Sequence, residues 1–171
     1  MRERTDTVDV LINNAAGWLE GRDLDSASDE EIVTTIMSGG AGTVLASKYF
    51  LPLLTASGHG DIVNVISMAA SRRSDSCAGH PAFYAAKGAQ ANFADVLSQR
   101  LRDSGVRVIS LFPPDFHNGD PLQSSWHDVD RSDGAPLTAQ SVLDCIMFAV
   151  DQPRDCYIRS IEFEPSMPRQ G

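Results

Sequence analysis

The chain has 171 residues, of which 42% are hydrophobic, 22% charged and 7% aromatic; that is enough apolar material for one domain with a buried core and too much for a disordered chain. Fourteen basic against twenty-three acidic residues give a net charge of −9, a surface that repels nucleic-acid phosphates. No apolar run reaches the roughly 18 residues of a membrane span, the polar start Met1-Arg-Glu-Arg-Thr-Asp6 is unlike a signal peptide, and Cys77, Cys145 and Cys156 form no CxxC pair, so a reduced, cytoplasmic protein is expected.

Val8-Asp-Val-Leu-Ile12 is a short apolar run ending in Asn13-Asn14 and reads as a strand buried on both faces. Ser28-Asp-Glu-Glu31 has the form of a capping box. The helix it opens runs through Gly39-Gly-Ala-Gly42 to about Leu54. Each glycine there costs about 1 kcal/mol relative to Ala, so their presence points to a close neighbour. Gly58-His-Gly-Asp61 is a turn, and Ile62-Val-Asn-Val-Ile66 a second buried strand. Ser71 to Pro81 reads as a loop. Ala82 to about Asp103 is a helix with Phe83, Phe93, Val96, Leu97 and Leu101 at helical spacing, closed by Ser104-Gly105. Val106 to Phe112 is the third strand, stopped by Pro113-Pro114. Asp115 to Ala135 carries no periodicity, and a loop of that length is usually functional or mobile. Thr138 caps a last helix, about Ala139 to Val150, and Tyr157 to Phe163 forms a final strand.

Strands alternating with helices predict an α/β domain with a parallel sheet of about four strands, spanning residues 1–171. Ligands of such sheets sit beyond the carboxyl ends of the strands. The segments to watch are therefore Asn13 to Gly17, Ser67 to Ala69, and Pro113 to Phe116. Ser67 follows the second strand. Tyr84 and Lys87 come later on one helix, three residues apart, so their side chains lie about 60° apart around it. An ammonium beside a phenol favours the phenolate, and such a phenol can give a proton to a carbonyl oxygen or take one from an alcohol. A nearby serine hydroxyl can hold the same oxygen. On spacing alone, Tyr84 and Lys87 read equally as an amphipathic pair on a surface helix.

Four stretches, Leu11-Ile-Asn-Asn-Ala-Ala-Gly17, Asp61-Ile-Val-Asn-Val-Ile-Ser67, Phe83-Tyr-Ala-Ala-Lys-Gly-Ala89 and Gly105-Val-Arg-Val-Ile-Ser-Leu-Phe-Pro113, occur in this order and spacing. Together they resemble the short-chain dehydrogenases/reductases, over about Val8 to Pro165. The resemblance implies a Rossmann-like three-layer α/β/α fold and an NAD or NADP cofactor. It implies catalytic roles for Ser67, Tyr84 and Lys87. Ser67 would orient a substrate carbonyl and Tyr84 would transfer the proton. Lys87 would lower the Tyr84 pKa and bind the nicotinamide ribose. Asn14, Ala15, Ala16, Tyr84, Lys87, Pro113 and Pro114 would contact the cofactor, while the hydride belongs to the nicotinamide. It further implies a small-molecule carbonyl or alcohol substrate, and a homo-oligomer packed through the helices near Val44–Leu54 and Ala82–Asp103.

Several features depart from the family pattern. The family opens with a strand, a Gly-rich phosphate turn and further βα units, about 70 residues that have no counterpart here. The run Ser38-Gly-Gly-Ala-Gly-Thr43 imitates such a turn but falls inside a helix. The family separates Tyr and Lys by four positions, which lands on Phe83 rather than Tyr84. Its relay asparagine maps to Gly39, its usual Pro-Gly to Pro113-Pro114, and the threonine that commonly follows has no obvious counterpart. The expected sheet is thus truncated at its N-terminal side, leaving the Val8–Ile12 strand with a bare edge that invites pairing with another chain. Two other readings follow from the departures: a catalytically impaired interaction or regulatory subunit, and a non-redox lyase, isomerase or cyclase that keeps the acid–base tyrosine. Elsewhere, His59, His80, His117 and His127 lack metal-ligand spacing, so no metal is expected. No G-x-S-x-G surrounds a serine.

Overall fold

The structure, a computed structural model, describes residues 5–70, 79–132 and 134–164; most of the expected loop from Ser71 to Pro81, with Cys77, lies outside them. Among the described residues four strands form one parallel sheet in the order β1 (Val10–Asn13), β2 (Asp61–Val65), β3 (Arg107–Phe112), β4 (Ser160–Glu162). The helices are α1 (Asp29–Ile36), α2 (Gly42–Ser57), α3 (Pro81–Arg100) and α4 (Ala139–Val150).

The register explains the layers. Asp61 pairs with Val10 and Arg107, and Val63 with Ile12 and Ile109. Side chains alternate across a pleated sheet, so Val63, Val65, Ile109 and Leu111 face one way. They pack with Val142, Ile146 and Ala149 of α4. Ile62, Ile66, Val106 and Val108 face the other way, against Leu54 of α2 and Ala94 of α3. The result is a three-layer α/β/α arrangement, as the family resemblance implies, around the parallel sheet that the alternating pattern predicts.

One strand expectation is corrected. β1 is not buried on both faces: Val10 is 37% and Ile12 48% exposed. Their register partners place them on the α4 side of the sheet, and α4 packs over β2, β3 and β4 without reaching β1. Leu11, on the opposite side, packs against the α2–α3 core.

The helix starts follow their caps. At α1 both halves of the Ser28–Glu31 capping box are made. At α4 the Thr138 hydroxyl accepts from the Ser141 N–H. The run from α1 to α2 is continuous, but Met37–Ala41 forms a π-helical turn, a distortion of the ladder that apolar periodicity does not announce. A Cβ on Gly39 would lie 3.0 Å from the Ala86 Cβ, and one on Gly40 3.4 Å from the Ala89 Cβ. The glycines let this turn meet α3 almost backbone to backbone, which is the close neighbour their presence in a helix implied. α2 ends on Gly58, with φ 75°, in the left-handed region where glycine carries no Cβ penalty.

Candidate functional site

Beyond the carboxyl ends of β1, β2 and β3 lies a cavity of about 510 Å³. Asn14 and Ala16 wall it after β1, Ser67 after β2, and Pro113 and Pro114 after β3; Phe83 and Lys87 come from the first two turns of α3. The strand extensions are tied together, since the Ile66 N–H donates to the Leu111 carbonyl (2.8 Å) and the Met68 N–H to the Pro113 carbonyl (3.0 Å). Ser67 and Pro113 are thereby held on one rim. The Ser67 hydroxyl accepts from the Ala69 N–H (3.0 Å), which orients its oxygen and leaves its own hydrogen to donate.

Lys87 is 5% exposed. Its ammonium donates to the Val65 carbonyl (3.1 Å) and stands 5.7 Å from the centroid of the Phe83 ring. Burial removes water from the charge and lowers the Lys87 pKa to about 8. Phe83 is itself buried, with Trp18 edge-on at 4.8 Å, and a Cβ at Gly79 would crowd both rings.

The start of α3 is set by His80, whose spacing to the other histidines is not that of a metal ligand. Its Nδ1 accepts from the Ala82 N–H (3.1 Å), capping the helix, and Nε2 is 3.3 Å from the Leu24 carbonyl. This pairing assigns the hydrogen to Nε2. The readable signal was its position directly before Pro81, the residue type favoured at the first helical position.

Of the residues expected at the site, Asn14, Ala16, Ser67, Lys87, Pro113 and Pro114 are brought together around this cavity. Ala15 is exposed and is not among the described residues that line it. Neither is Tyr84, which is half-buried on α3, one helical step round from Phe83 with ring centroids 6.4 Å apart. Lys87 lies one turn from both, and Phe83 is the ring that shares the cavity with it.

Asn13, one position before the expected contacts, has a structural task. Its amide donates to Asn64 Oδ1 (2.9 Å) and Ser47 Oγ (3.2 Å), fastening the end of β1 to β2 and α2. Gly39, where the resemblance expects an asparagine, sits between Ala86 and Ala16, and a side chain there would need α3 to shift. Among the described residues no group of His, Cys, Asp or Glu is placed to hold a metal, and no helix is long and apolar enough to cross a membrane.

For a dinucleotide, the described residues fit one end. The cavity next to Lys87, walled by the segments after β1 and β3, is where a flat ring would lie. For a pyrophosphate they offer no strand–glycine–helix turn, because Ser38–Thr43 lies within the π turn and the start of α2.

A model of the family described as short chain dehydrogenase matches residues 1–127. The chain belongs to that family. One relative is the NADP-dependent 3-hydroxy acid dehydrogenase of Schizosaccharomyces pombe, 26% identical over 164 residues, covering 93% of this chain and 62% of the relative. An uncharacterized oxidoreductase of Bacillus subtilis, YxbG, is 31% identical over 113 residues, covering 66% of this chain and 40% of that protein. Among solved structures, serine dehydrogenase from Escherichia coli superposes with a TM-score of 0.73 at 26% identity, over 91% of this chain and 63% of that one. A closed form of serine dehydrogenase complexed with NADP+ gives 0.77 at 24% identity, over 96% and 68%. The chain thus spans roughly two-fifths to three-fifths of these curated relatives' length.

Proposed function

We propose that this short-chain dehydrogenase chain forms the carbonyl-binding part of an NAD(P)-dependent oxidoreductase that interconverts a carbonyl and a secondary alcohol. The observation that carries this reading is the meeting of Ser67 and Lys87 in one cavity beyond the carboxyl ends of the parallel strands. Ser67 donates its hydroxyl hydrogen to the substrate oxygen. Tyr84 gives that oxygen a proton or takes one from it, because Phe83 has none to transfer, and the Lys87 charge favours the phenolate. Asn14, Ala15, Ala16, Pro113 and Pro114 pack along the cofactor, whose nicotinamide supplies or accepts the hydride. The named relatives direct the first substrate panel to short 3-hydroxy acids and serine.

A second reading is favoured by two observations: Phe83 occupies the cavity wall beside Lys87, and a side chain at Gly39 would press on Ala86 at 3.0 Å. It describes a relative that keeps the cavity and has lost turnover. Nicotinamide-linked turnover by wild type, Tyr84→Phe and Phe83→Tyr separates the two. The redox reading expects Tyr84→Phe to lose about a hundredfold or more and is overturned if Tyr84→Phe equals wild type. The quiet reading expects a silent wild type and turnover appearing in Phe83→Tyr.

A further inference from the structure

Lys48 and Lys87 are the two lysines of the sequence, and they stand in opposite environments. Lys48 is exposed on α2, with Nζ 5.6 Å from its neighbour's ring, Tyr49. Lys87 lines a cavity of about 510 Å³ whose other walls include Trp18, Phe83, Pro113 and Phe116. We propose that Lys87 is a carbonyl-capturing amine, which condenses with aldehydes of apolar body in this cavity to form an imine.

Three features make the amine suited to this. First, among the described residues its hydrogen bond is as a donor, to the Val65 carbonyl. A neutral amine keeps that bond through an N–H, and its lone pair then points away from the carbonyl. Second, the groups around it do little to hold a positive charge. β2 presents the Val65 carbonyl and the Ser67 hydroxyl, and α3 presents the Phe83 ring, with Tyr84 on the next helical step. Asp115, after β3, is the one carboxylate among the described wall residues, and it makes no ion pair with Lys87 among the described residues. Burial accordingly brings the ammonium to a pKa of about 8, so that on the order of a tenth is neutral at pH 7. Third, the aromatic and proline walls favour an apolar aldehyde and repel a hydrated one.

The chemistry balances without a redox partner. The Nζ lone pair attacks the aldehyde carbon and forms the C–N bond, while the C=O π pair moves to oxygen. One N–H proton passes to that oxygen, giving a carbinolamine. The remaining N–H proton leaves with the hydroxyl as water, and the nitrogen pair closes the C=N bond. Neither nicotinamide nor Tyr84 takes part, so the activity goes beyond the redox reading, with which it shares the cavity and Lys87.

The test uses benzaldehyde with sodium cyanoborohydride on the whole chain, with no nicotinamide present, followed by peptide mass mapping. Lys87 is expected to carry the benzyl group about tenfold faster than Lys48 at pH 7, with a rate that rises and levels off above pH 8. The Lys87→Arg chain is expected to lose the fast phase and keep the slow one. Labelling of Lys48 as fast as Lys87, measured on wild type and hence independent of any folding defect in the variant, overturns the proposal. If capture occurs and turnover does not, the redox reading alone fails; if turnover occurs and Lys87 stays unlabelled, capture alone fails.

Discussion

The two ends of the sheet treat a buried cation in opposite ways. At the amino end, Arg107 opens β3 directly beside Asp61, which opens β2. Arg107 donates Nε–H to Asp61 Oδ1 (2.8 Å) and Nη2–H to Oδ2 (2.6 Å). Its remaining hydrogens go to the carbonyls of Val150 (2.8 Å), Gln152 (3.0 Å) and Cys156 (3.1 Å), at and after the end of α4. All five guanidinium donors are thus used, and Arg154 adds a second contact to Asp61 (2.8 Å). The Asp61 bonds raise the Arg107 pKa above its ordinary value. At the carboxyl end, Lys87 meets one carbonyl and one ring among the described residues, and its pKa falls. The first cation is locked to fasten α4 to the sheet. The second is left short of partners beside a cavity, which keeps its charge adjustable.

The difference has a thermodynamic consequence of definite sign. The folded chain binds the Lys87 proton less tightly than the unfolded chain, with pKa values of about 8 and 10.5. Below pH 8 both states are protonated, and burying the charge costs folding about 3 kcal/mol. Between pH 8 and 10.5 the unfolded state binds more protons, so this penalty fades as pH rises. Burial opposes the Arg107 charge as well, but the Asp61 hydrogen bonds outweigh it.

Breaking the amino end carries the largest expected effect. Asp61→Asn leaves Arg107 buried without its carboxylate, and equilibrium denaturation is expected to show a loss of about 3–5 kcal/mol. A loss under 1 kcal/mol would mean that the backbone carbonyls alone hold the guanidinium. The smaller effect sharpens the other end. Gly39→Ala gains helix propensity but presses on Ala86 at 3.0 Å, with a net loss of about 1 kcal/mol expected in thermal unfolding. In an Ala86→Gly background the same substitution is expected to stabilise. If the loss persists there, the close approach to α3 is not its cause.

The contrast also shows what was legible in the residues. The alternating elements, the Ser28–Glu31 box and the Thr138 cap are local signals, and they appear where local rules place them. Ser67 and Lys87 were found through their places after β2 and on α3, and the topology brings both to one cavity. The Asp61–Arg107 pair was passed over, because the partners are 46 positions apart and only strand register makes them neighbours. The exposure of β1 was missed because apolar content marks a strand without saying whether a helix covers it. His80 was missed because histidine is an uncommon cap. The π turn depends on contact with Ala86 and Ala89, which lie on a different helix and leave no periodic trace in the α1–α2 sequence.

The central claim is that burial beside Phe83, with no carboxylate paired to it among the described residues, leaves Lys87 an amine that titrates near pH 8. With two lysines in the chain, 15N-lysine labelling gives two side-chain signals, and Lys87→Arg assigns them. The Lys87 signal is expected to titrate with a midpoint near pH 8 in the folded chain. A midpoint at or above the ordinary lysine value of about 10.4 would contradict the account.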